Sequence, residues 1–207
     1  MNNPKTSSDK SQVKQQRIGN AAAKVFNKKG YLETNMDDIA AAAKMSKGGI
    51  YHYFSSKDEI LFFILGSYMD VVLEDLEAQL QTMGNSTAKI KFIIDRHINL
   101  YANHMAQAKT LLQDAHCLSP KHYKSIKMKE REYFRIVTGA LSEFFEGPGE
   151  IKREELTAMA FLLFGMCNWT YHWYDPNGPI NPEELSRMTW VVFLKGITEH
   201  RKAKEGE

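Results

Sequence analysis

The segment from Thr34 to Ile60 constrains the fold of this 207-residue chain more than any other part of it. Asn35 is a good helix N-cap, and Asp38 follows at the third helical position, where an acidic side chain favours a helix start. Ser46 predicts the cap of a second short helix, which turns Ile50 inward. Two helices of about eight residues joined by a tight turn predict a helix-turn-helix.

Helical periodicity extends on both sides of this segment. A first helix is expected from Ser11 to a basic last turn and a stop at Gly30. The capping box Ser56–Glu59 predicts a long helix that ends near residues 83–85. Further helices are expected over about 86–108, 109–117, 120–146, 152–174 and 183–200, and no strand alternation of any length occurs.

The chain is therefore predicted to be all-α, with three small helices in front and about six behind. The expected organisation is a disordered tail over residues 1–10, a helix-turn-helix domain over residues 11–55 and a larger helical domain over residues 56–207. The turn-rich stretches 147–149 and 175–182 separate the last helices.

Composition narrows the class of protein. Residues 1–60 carry ten Lys or Arg against six Asp or Glu, so the end that holds the helix-turn-helix is the positive one. The two cysteines lie far apart without a CxxC pattern, which favours a reduced cytoplasmic protein. The longest apolar run, residues 158–167, is too short to span a bilayer, and the N-terminus lacks a signal-peptide core.

The second helix of the motif carries polar and aromatic side chains in place of a continuous apolar face. Lys47, Gly48, Tyr51, His52 and Tyr53 surround the positions that face the core. In a helix-turn-helix the N-terminal part of this helix meets base edges in the major groove. Lys, Tyr and His are suited to contact phosphates or bases, and a glycine pair lets the backbone approach the duplex. The pattern predicts double-stranded DNA as a partner.

Residues 11–60 resemble the DNA-binding domain of TetR-family transcriptional regulators. The resemblance lies in Phe26, Gly30, Asp38-Ile39-Ala40, Ser46-Lys47-Gly48, Ile50-Tyr51, Tyr53-Phe54 and Lys57. It implies DNA contacts from Thr34, Asn35, Ser46, Lys47, Gly48, Tyr51, His52, Tyr53 and Lys57. Tyr51 has a second interpretation as a half-buried core residue, and Lys57 as a solvated residue of a helix start.

The sequence departs from the family pattern at the turn, where Lys44 replaces the usual glycine. A lysine in the left-handed region costs roughly 1 kcal/mol. Either the turn accepts this cost or it is built differently, and Lys44 is also a candidate phosphate contact.

The resemblance further implies a homodimer on a palindromic operator, with the last two long helices of each subunit packed at the two-fold axis. The candidate interface residues are Leu156, Leu163, Phe164, Met188, Val192, Phe193 and Ile197. The alternative is that these residues form the core of an ordinary monomer.

A second informative segment, residues 165–178, contains Asn168, Trp169, His172 and Trp173. Trp169 and Trp173 are four positions apart, so they are expected on one helix face, where rings line apolar cavities. The pattern resembles a TetR branch that senses acyl-CoA thioesters, although the two rings could instead pack a dimer interface. Further candidate cavity residues follow one helix at helical spacing: Phe92, Arg96, His97, Leu100, Tyr101 and His104. The polar ones among them are alternatively surface or satisfied core groups.

These features predict a repressor that is released from DNA by a small hydrophobic effector, which the resemblance suggests is an acyl-CoA. The alternatives are a DNA-binding regulator without an effector, or one with an aromatic or metal effector, the latter held by His97, His104, His116, Cys117 and His122. An enzyme is not expected, because GxSxG, HExxH and phosphate-binding glycine loops are absent from the sequence. No resident cofactor or metal is expected.

Overall fold

A computed structural model describes residues 7–146 and 151–205, and every regular element within these ranges is helical. The α-helices are α1 Ser7–Lys29, α2 Met36–Ala43, α3 Lys47–Tyr51, α4 Lys57–Leu73, α5 Leu76–Gln81, α6 Ser86–Asp114, α7 Pro120–Phe144, α8 Arg153–Asn168 and α9 Pro182–Glu205. Two 3-10 turns cover Ala115–Cys117 and Trp169–His172. The predicted all-α fold class, with three helices in front and six behind, is confirmed for the described part of the chain. None of the helices described is both long and apolar enough to cross a bilayer.

Two expectations from the sequence fall partly or wholly outside the described residues. Of the tail expected over residues 1–10, residues 1–6 are not described, whereas residues 7–10 belong to α1. The turn expected at residues 147–149 lies wholly outside.

The chain forms two compact units, and their limits differ from a division after residue 55. The first unit contains Met1–Val71 and Ala106–Met128, and the second contains Val72–Met105 and Lys129–Glu207. Helices α4, α6 and α7 each contribute residues to both units. The division predicted after residue 55 does not include these shared helices. The 3.6-residue period shows where helices are, and not which other helices they pack against.

The first unit buries one apolar face from each of its helices in a common core. Its fully buried residues include Ile18 and Phe26 of α1, Ile39 of α2, Ile50 of α3 and Leu61 of α4. The second helix of the motif is therefore anchored by Ile50, as its sequence predicted. Residues of the segment 106–126 complete the core: Ala106, Leu111, Ala115, Cys117, Leu118 and Ile126.

The second unit has its own core, built from α5, the first part of α6, the later part of α7, α8 and α9. It includes Leu76, Ile90, Ile94, Ile98, Val137, Leu141, Ala160, Leu163, Phe193 and Ile197.

Two helices differ from their predicted lengths. The long helix expected from Ser56 to residue 83 is broken, because Asp75 adopts left-handed backbone angles, with φ 51°, between α4 and α5. The helix expected to end near residue 108 instead continues as α6 to Asp114, with a kink at His104, whose φ is −132° and ψ is 32°. Neither site carries a Gly or Pro, so no local residue type indicates a break there.

Candidate functional site

The start of the helix-turn-helix has the predicted cap. The side chain of Asn35 accepts hydrogen bonds from the backbone N–H groups of Asp37 and Asp38, both at 2.9 Å. The Asp38 carboxylate accepts in return from the backbone N–H of Asn35 at 2.9 Å, which completes a capping box. Lys29 at the end of α1 forms an ion pair with Asp38 at 2.6 Å. Helix α2 therefore begins at a position fixed by both local and long-range contacts.

The turn between α2 and α3 accepts the left-handed lysine. Lys44 has φ 53° and ψ 50°, the conformation that usually favours glycine. The backbone N–H of Met45 donates to the carbonyl of Ala40 at 3.0 Å, which closes the end of α2. Arg17 of α1, which the sequence did not single out, donates to the carbonyl of Ala43 at 2.8 Å. The replacement of glycine thus leaves the turn intact and exposes the Lys44 side chain.

Helix α3 presents an exposed polar surface on a buried anchor. Ser46 caps the helix by accepting from the backbone N–H of Gly49 at 3.1 Å. A side chain at position 49 would crowd this cap, whereas a Cβ at Gly48 would meet nothing within 4 Å. Packing within the chain therefore does not require glycine at position 48, and a close approach by a bound partner explains it better.

The exposed side chains of α3 belong to residues that the sequence had singled out. Tyr51 is 48% exposed, and His52 and Lys47 are exposed as well. Tyr53 is half-buried, with its ring edge-on to that of His52 at 5.0 Å. Lys47 forms an ion pair with Asp37 at 2.8 Å, and this hydrogen bond raises the pKa of the lysine. These contacts leave most of the α3 surface open to a partner.

Two residues expected to contact phosphate have internal roles. Thr34 is only 2% exposed, and its hydroxyl donates to the carbonyl of Gly30 at 2.7 Å. The Lys57 ammonium donates to the carbonyls of Tyr31 at 2.7 Å and Thr34 at 2.8 Å, with a longer contact of 3.3 Å to the carbonyl of Leu32. It also lies 4.3 Å from the centre of the Tyr31 ring. The expected phosphate roles are therefore corrected: Thr34 belongs to the core, and Lys57 holds the α1–α2 turn.

We expect Lys57→Met to lower stability without changing the number of phosphate contacts. The variant leaves partly buried carbonyls without their charged donor, which costs about 1–3 kcal/mol. The midpoint of thermal unfolding should fall, while the slope of log affinity for DNA against log salt should stay at the wild-type value. Differential scanning fluorimetry and DNA titrations at several salt concentrations measure the two effects.

Lys47→Met is the matched control, because Lys47 is exposed and paired only at the surface. It should leave the unfolding midpoint unchanged and reduce the salt slope by about 1. If Lys57→Met showed this second pattern, Lys57 would be a phosphate contact after all.

The second unit contains a network of polar side chains around His97. Its Nδ1 lies 2.8 Å from the hydroxyl of Tyr133, and its Nε2 lies 2.9 Å from Oδ1 of Asn168. The hydroxyl of Tyr101 donates to the same Oδ1 at 2.9 Å. Because Oδ1 only accepts, Nε2 carries the proton of a neutral imidazole and Nδ1 accepts from Tyr133. The rings of Tyr101, Tyr133 and Phe164 surround the imidazole, and this desolvation lowers the pKa of His97 to about 4.

Sequence reasoning named His97, Tyr101 and Asn168 together as candidates, and the structure brings them together. It missed Tyr133, which lies 36 positions from His97 on another helix. No local pattern marks that pairing, since Tyr133 fits equally well as an ordinary aromatic residue of α7.

We expect His97 to make stability depend on pH below neutrality. Its folded pKa of about 4 lies below the usual value of about 6.5, so between these values only the unfolded chain binds the proton. Stability is therefore complete above the unfolded pKa and is lost as pH falls toward the folded pKa, by up to about 3 kcal/mol. Urea unfolding from about pH 7 to about pH 4 measures the loss.

His97→Gln should flatten this profile, since glutamine keeps a donor and an acceptor but does not titrate. His172→Gln, at an exposed histidine of the same unit, should follow the wild type. Parallel profiles for wild type and His97→Gln would contradict the assignment.

The remaining candidate cavity residues are dispersed. Arg96 donates to the carbonyls of Val72 and Glu74 at the end of α4, which agrees with its alternative interpretation as a satisfied polar group. Phe92 packs against the core, and Leu100 is half-buried. His104 lies at the kink of α6, where its backbone angles are non-helical. His172 is exposed, with its ring 4.2 Å from that of Trp169.

Trp169 and Trp173 line a surface groove of about 510 Å³ at the two ends of the second 3-10 turn. They are 62% and 55% exposed. The groove is otherwise lined by Phe161, Leu162, Gly165, Met166, Thr170, Leu185 and Thr189. Both rings line this groove, although they lie at the ends of a 3-10 turn and not on one α-helix face as predicted. The polar network around His97 consists of other residues.

The candidate interface residues divide into two groups. Leu163, Phe193 and Ile197 are buried in the core of the second unit, and Leu156 and Phe164 are half-buried against it, which agrees with the alternative that they belong to the core of the subunit. Met188 and Val192 are exposed. Other exposed apolar residues lie on the same helices and turn: Phe161, Leu162, Trp169, Trp173 and Val191.

Two of the histidines considered as metal ligands have other partners. His97 belongs to the polar network, and His122 contacts the Asp58 carboxylate at 2.5 Å. Among the described residues, no group of three or more His, Cys, Asp or Glu side chains is arranged to hold a metal ion.

The motif and its exposed helix define a helix-turn-helix DNA-binding protein with a further helical unit. Residues 18–63 match the model described as "Bacterial regulatory proteins, tetR family", and residues 83–197 match "Tetracyclin repressor-like, C-terminal domain". Because the second match alone covers more than half of the sequence, the chain belongs to the TetR family of transcriptional regulators. This membership indicates a regulator rather than an enzyme.

Known proteins similar to the chain extend over most of its length. A TetR-family regulator from Bordetella parapertussis shares 30% identity at a TM-score of 0.81, over 87% of this chain and 93% of that one. AibR, solved with isovaleryl coenzyme A and operator DNA, shares 26% identity at a TM-score of 0.75, over 86% of this chain and 97% of that one. The "Fatty acid metabolism regulator protein" of Bacillus subtilis is 27% identical over 186 residues, 89% of this chain and 95% of that protein.

Proposed function

We propose that this chain is a repressor that binds a palindromic operator as a homodimer and leaves it when an acyl-CoA binds. The observation that carries the DNA-binding part is α3, which combines a buried Ile50 with an exposed surface of Lys47, Gly48 and Tyr51. Such a helix is held rigidly while its outer side remains available to the major groove.

The proposed DNA-contacting residues are those on the accessible side of the motif. Ser46, Lys47, Gly48, Tyr51 and His52 approach bases and the adjacent backbone. Asn35, Lys44 and Tyr53 flank them and are further proposed contacts to the DNA backbone. Thr34 and Lys57 support this surface from inside, as their hydrogen bonds indicate.

The proposed dimer surface consists of the exposed apolar side chains of α8, α9 and the second 3-10 turn: Phe161, Leu162, Trp169, Trp173, Met188, Val191 and Val192. A second copy of the chain is the proposed occupant. An isologous contact of this surface with itself buries it and creates the two-fold symmetry that a palindromic operator requires. Two DNA-reading helices about one helical turn of DNA apart then follow from the symmetry.

An acyl-CoA is the proposed effector because of the relatives and because of the buried polar network. AibR was solved with isovaleryl coenzyme A and operator DNA, and another relative carries the name of a fatty acid metabolism regulator. The network around His97 offers neutral polar groups within a largely apolar unit, which suits a ligand with an apolar chain and one polar function. The effector would have a higher affinity for a conformation that does not bind the operator, so the coupling is reciprocal.

A regulator without a small-molecule effector is the second candidate. It is favoured by the exposed position of Trp169 and Trp173, which fit a dimer surface as well as they fit a ligand cavity. A cytoplasmic location is part of both proposals.

Selection from a random duplex library, followed by fluorescence anisotropy, tests the proposed function. The purified chain should enrich a palindromic sequence, and isovaleryl-, octanoyl- or palmitoyl-CoA should weaken its binding and raise the thermal unfolding midpoint. The matching free acids and free coenzyme A are the controls. Failure to enrich a palindrome would contradict the DNA-binding proposal. Enrichment without any response to the thioesters would support the second candidate.

A further inference from the structure

We propose that the Asn168 carboxamide donates a hydrogen bond to the carbonyl oxygen of the effector, and that this site therefore selects a thioester over the free acid. This inference rests on the proposed function, because it concerns the acyl-CoA of that proposal.

The orientation of the amide is determined by the two donors that meet its oxygen. Oδ1 of Asn168 accepts from the Tyr101 hydroxyl and from Nε2 of His97, both at 2.9 Å. Two donors occupy the two lone pairs of an amide oxygen. The Asn168 side chain is thereby fixed without any use of its nitrogen.

The amide nitrogen is left as an available donor. Nδ2 of Asn168 makes no hydrogen bond to another residue in the described part of the chain, and it is not among the buried atoms without a partner. It is therefore accessible, and its two N–H bonds have a direction set by the other end of the amide. A fixed donor of this kind binds an acceptor without loss of side-chain freedom, which favours affinity.

The network around this donor carries no net charge. Tyr101, Tyr133 and Asn168 are neutral groups, and the rings packed around His97 exclude water and favour its neutral form. The nearby cation, Arg96, is directed to the carbonyls of Val72 and Glu74.

Because the network contains no cation, it favours an uncharged hydrogen-bond acceptor over a carboxylate. A carboxylate brought here would lose its hydration without gaining an opposite charge, which is costly in a weakly polar site. A ketone, ester or thioester oxygen has a much smaller hydration to lose and requires only one neutral donor. The site therefore suits a carbonyl oxygen of an uncharged function.

Aromatic rings lie beside the network itself. The rings of Tyr133 and Phe164 have their centroids 5.8 and 6.1 Å from that of His97 and 5.5 Å from each other. A thioester carbonyl at Asn168 would thus lie near aromatic surface that suits an acyl chain.

The test combines a change in the protein with a change in the ligand. The probes are the acyl-CoA with the highest affinity among isovaleryl-, octanoyl- and palmitoyl-CoA, and its S-alkyl thioether, in which CH2 replaces the carbonyl. Isothermal titration calorimetry should show the wild type binding the thioester about tenfold more tightly than the thioether, the expected effect of one lost hydrogen bond in a partly buried site. The free acid should bind more weakly than the thioester by at least the same factor.

Asn168→Asp should remove the preference, since aspartate keeps Oδ1 but has a second oxygen in place of the Nδ2 donor. The thioester and the thioether should then bind with affinities within about twofold of each other, because the lost hydrogen bond accounted for the tenfold difference. Asn103→Asp, at an exposed amide of α6, is the matched control and should keep the wild-type preference. Operator affinity without effector reports whether each variant is folded.

If Asn168→Asp does not fold, Tyr101→Phe replaces it. This variant removes one of the two donors that fix Oδ1, and it should lower the thioester preference, while circular dichroism reports whether it is folded.

Three results would overturn the inference, and they differ in what they say about the proposed function. An equal affinity of the wild type for thioester and thioether would reject the carbonyl contact, as would a preference that survives in Asn168→Asp. In both cases the acyl-CoA proposal would stand. Failure of all three thioesters to bind the wild type would reject the effector proposal together with this inference.

Discussion

Leu162→Glu is expected to convert the dimer into folded monomers and to weaken operator binding at least about 100-fold. Leu162 is 65% exposed and lies within the proposed dimer surface. In an isologous contact the substitution places two carboxylates in one apolar interface, each without an opposite charge, and burying such a charge costs several kcal/mol. The monomer would retain only one DNA-reading helix for each binding event.

Analytical ultracentrifugation measures the first effect and fluorescence anisotropy with the selected operator measures the second. Because Leu162 lies outside the core, circular dichroism should show an unchanged helix content. Leu112→Glu is the matched control: Leu112 is 40% exposed on α6 and is not one of the residues of the proposed dimer surface, so the variant should remain dimeric. A dimeric Leu162→Glu protein with normal operator affinity would place the interface elsewhere.

The helix caps could be predicted from the sequence because they depend on local chemistry. Asn35 and Ser46 each accept a backbone N–H within three residues, so residue type and spacing alone indicate them. The family resemblance also located the turn at Lys44, and only the cost of its left-handed backbone remained open. The structure shows that the hydrogen bonds of Met45 and Arg17 hold the turn despite this cost.

The dimer surface could not be predicted residue by residue. Helix α8 is apolar on nearly all sides, so periodicity does not show that Leu163 faces the core of its own unit while Leu162 faces outward. The same limit applies to α9, where Phe193 is buried and Val192 is exposed. Only the position of neighbouring helices separates these adjacent residues.

Polar contacts between residues far apart in the sequence could not be predicted either. From the sequence alone, a lysine at the start of α4 fits a phosphate contact as well as it fits an internal contact. The structure shows the carbonyls of the α1–α2 turn beside Lys57. The three residues of the network that were named in advance came from a resemblance and from spacing along α6, whereas Tyr133 came from neither.

Tyr51→Ala is expected to weaken operator binding on the order of 100-fold or more, without loss of folding or dimerisation. Tyr51 is 48% exposed on α3, whereas the neighbouring Ile50 is fully buried and anchors the helix. Removing the tyrosine ring therefore takes away surface from the partner side and little from the core. A contact worth about 2 kcal/mol occurs twice in a symmetric complex, so the two losses add. Anisotropy titration at fixed salt measures the change.

The salt dependence of DNA binding distinguishes the loss of the Tyr51 ring from the loss of a charged side chain. Tyr51→Ala removes no cation, so the salt dependence of the remaining binding should keep the wild-type slope, whereas Lys47→Met should reduce that slope by about 1. Tyr123→Ala, at an exposed tyrosine of α7 whose ring lies beside Lys127, controls for the removal of a surface ring and should leave affinity unchanged. Unchanged operator affinity of Tyr51→Ala would remove this residue from the proposed interface and leave DNA recognition to Lys47 and His52, because these are the other exposed side chains that α3 and its C-cap present.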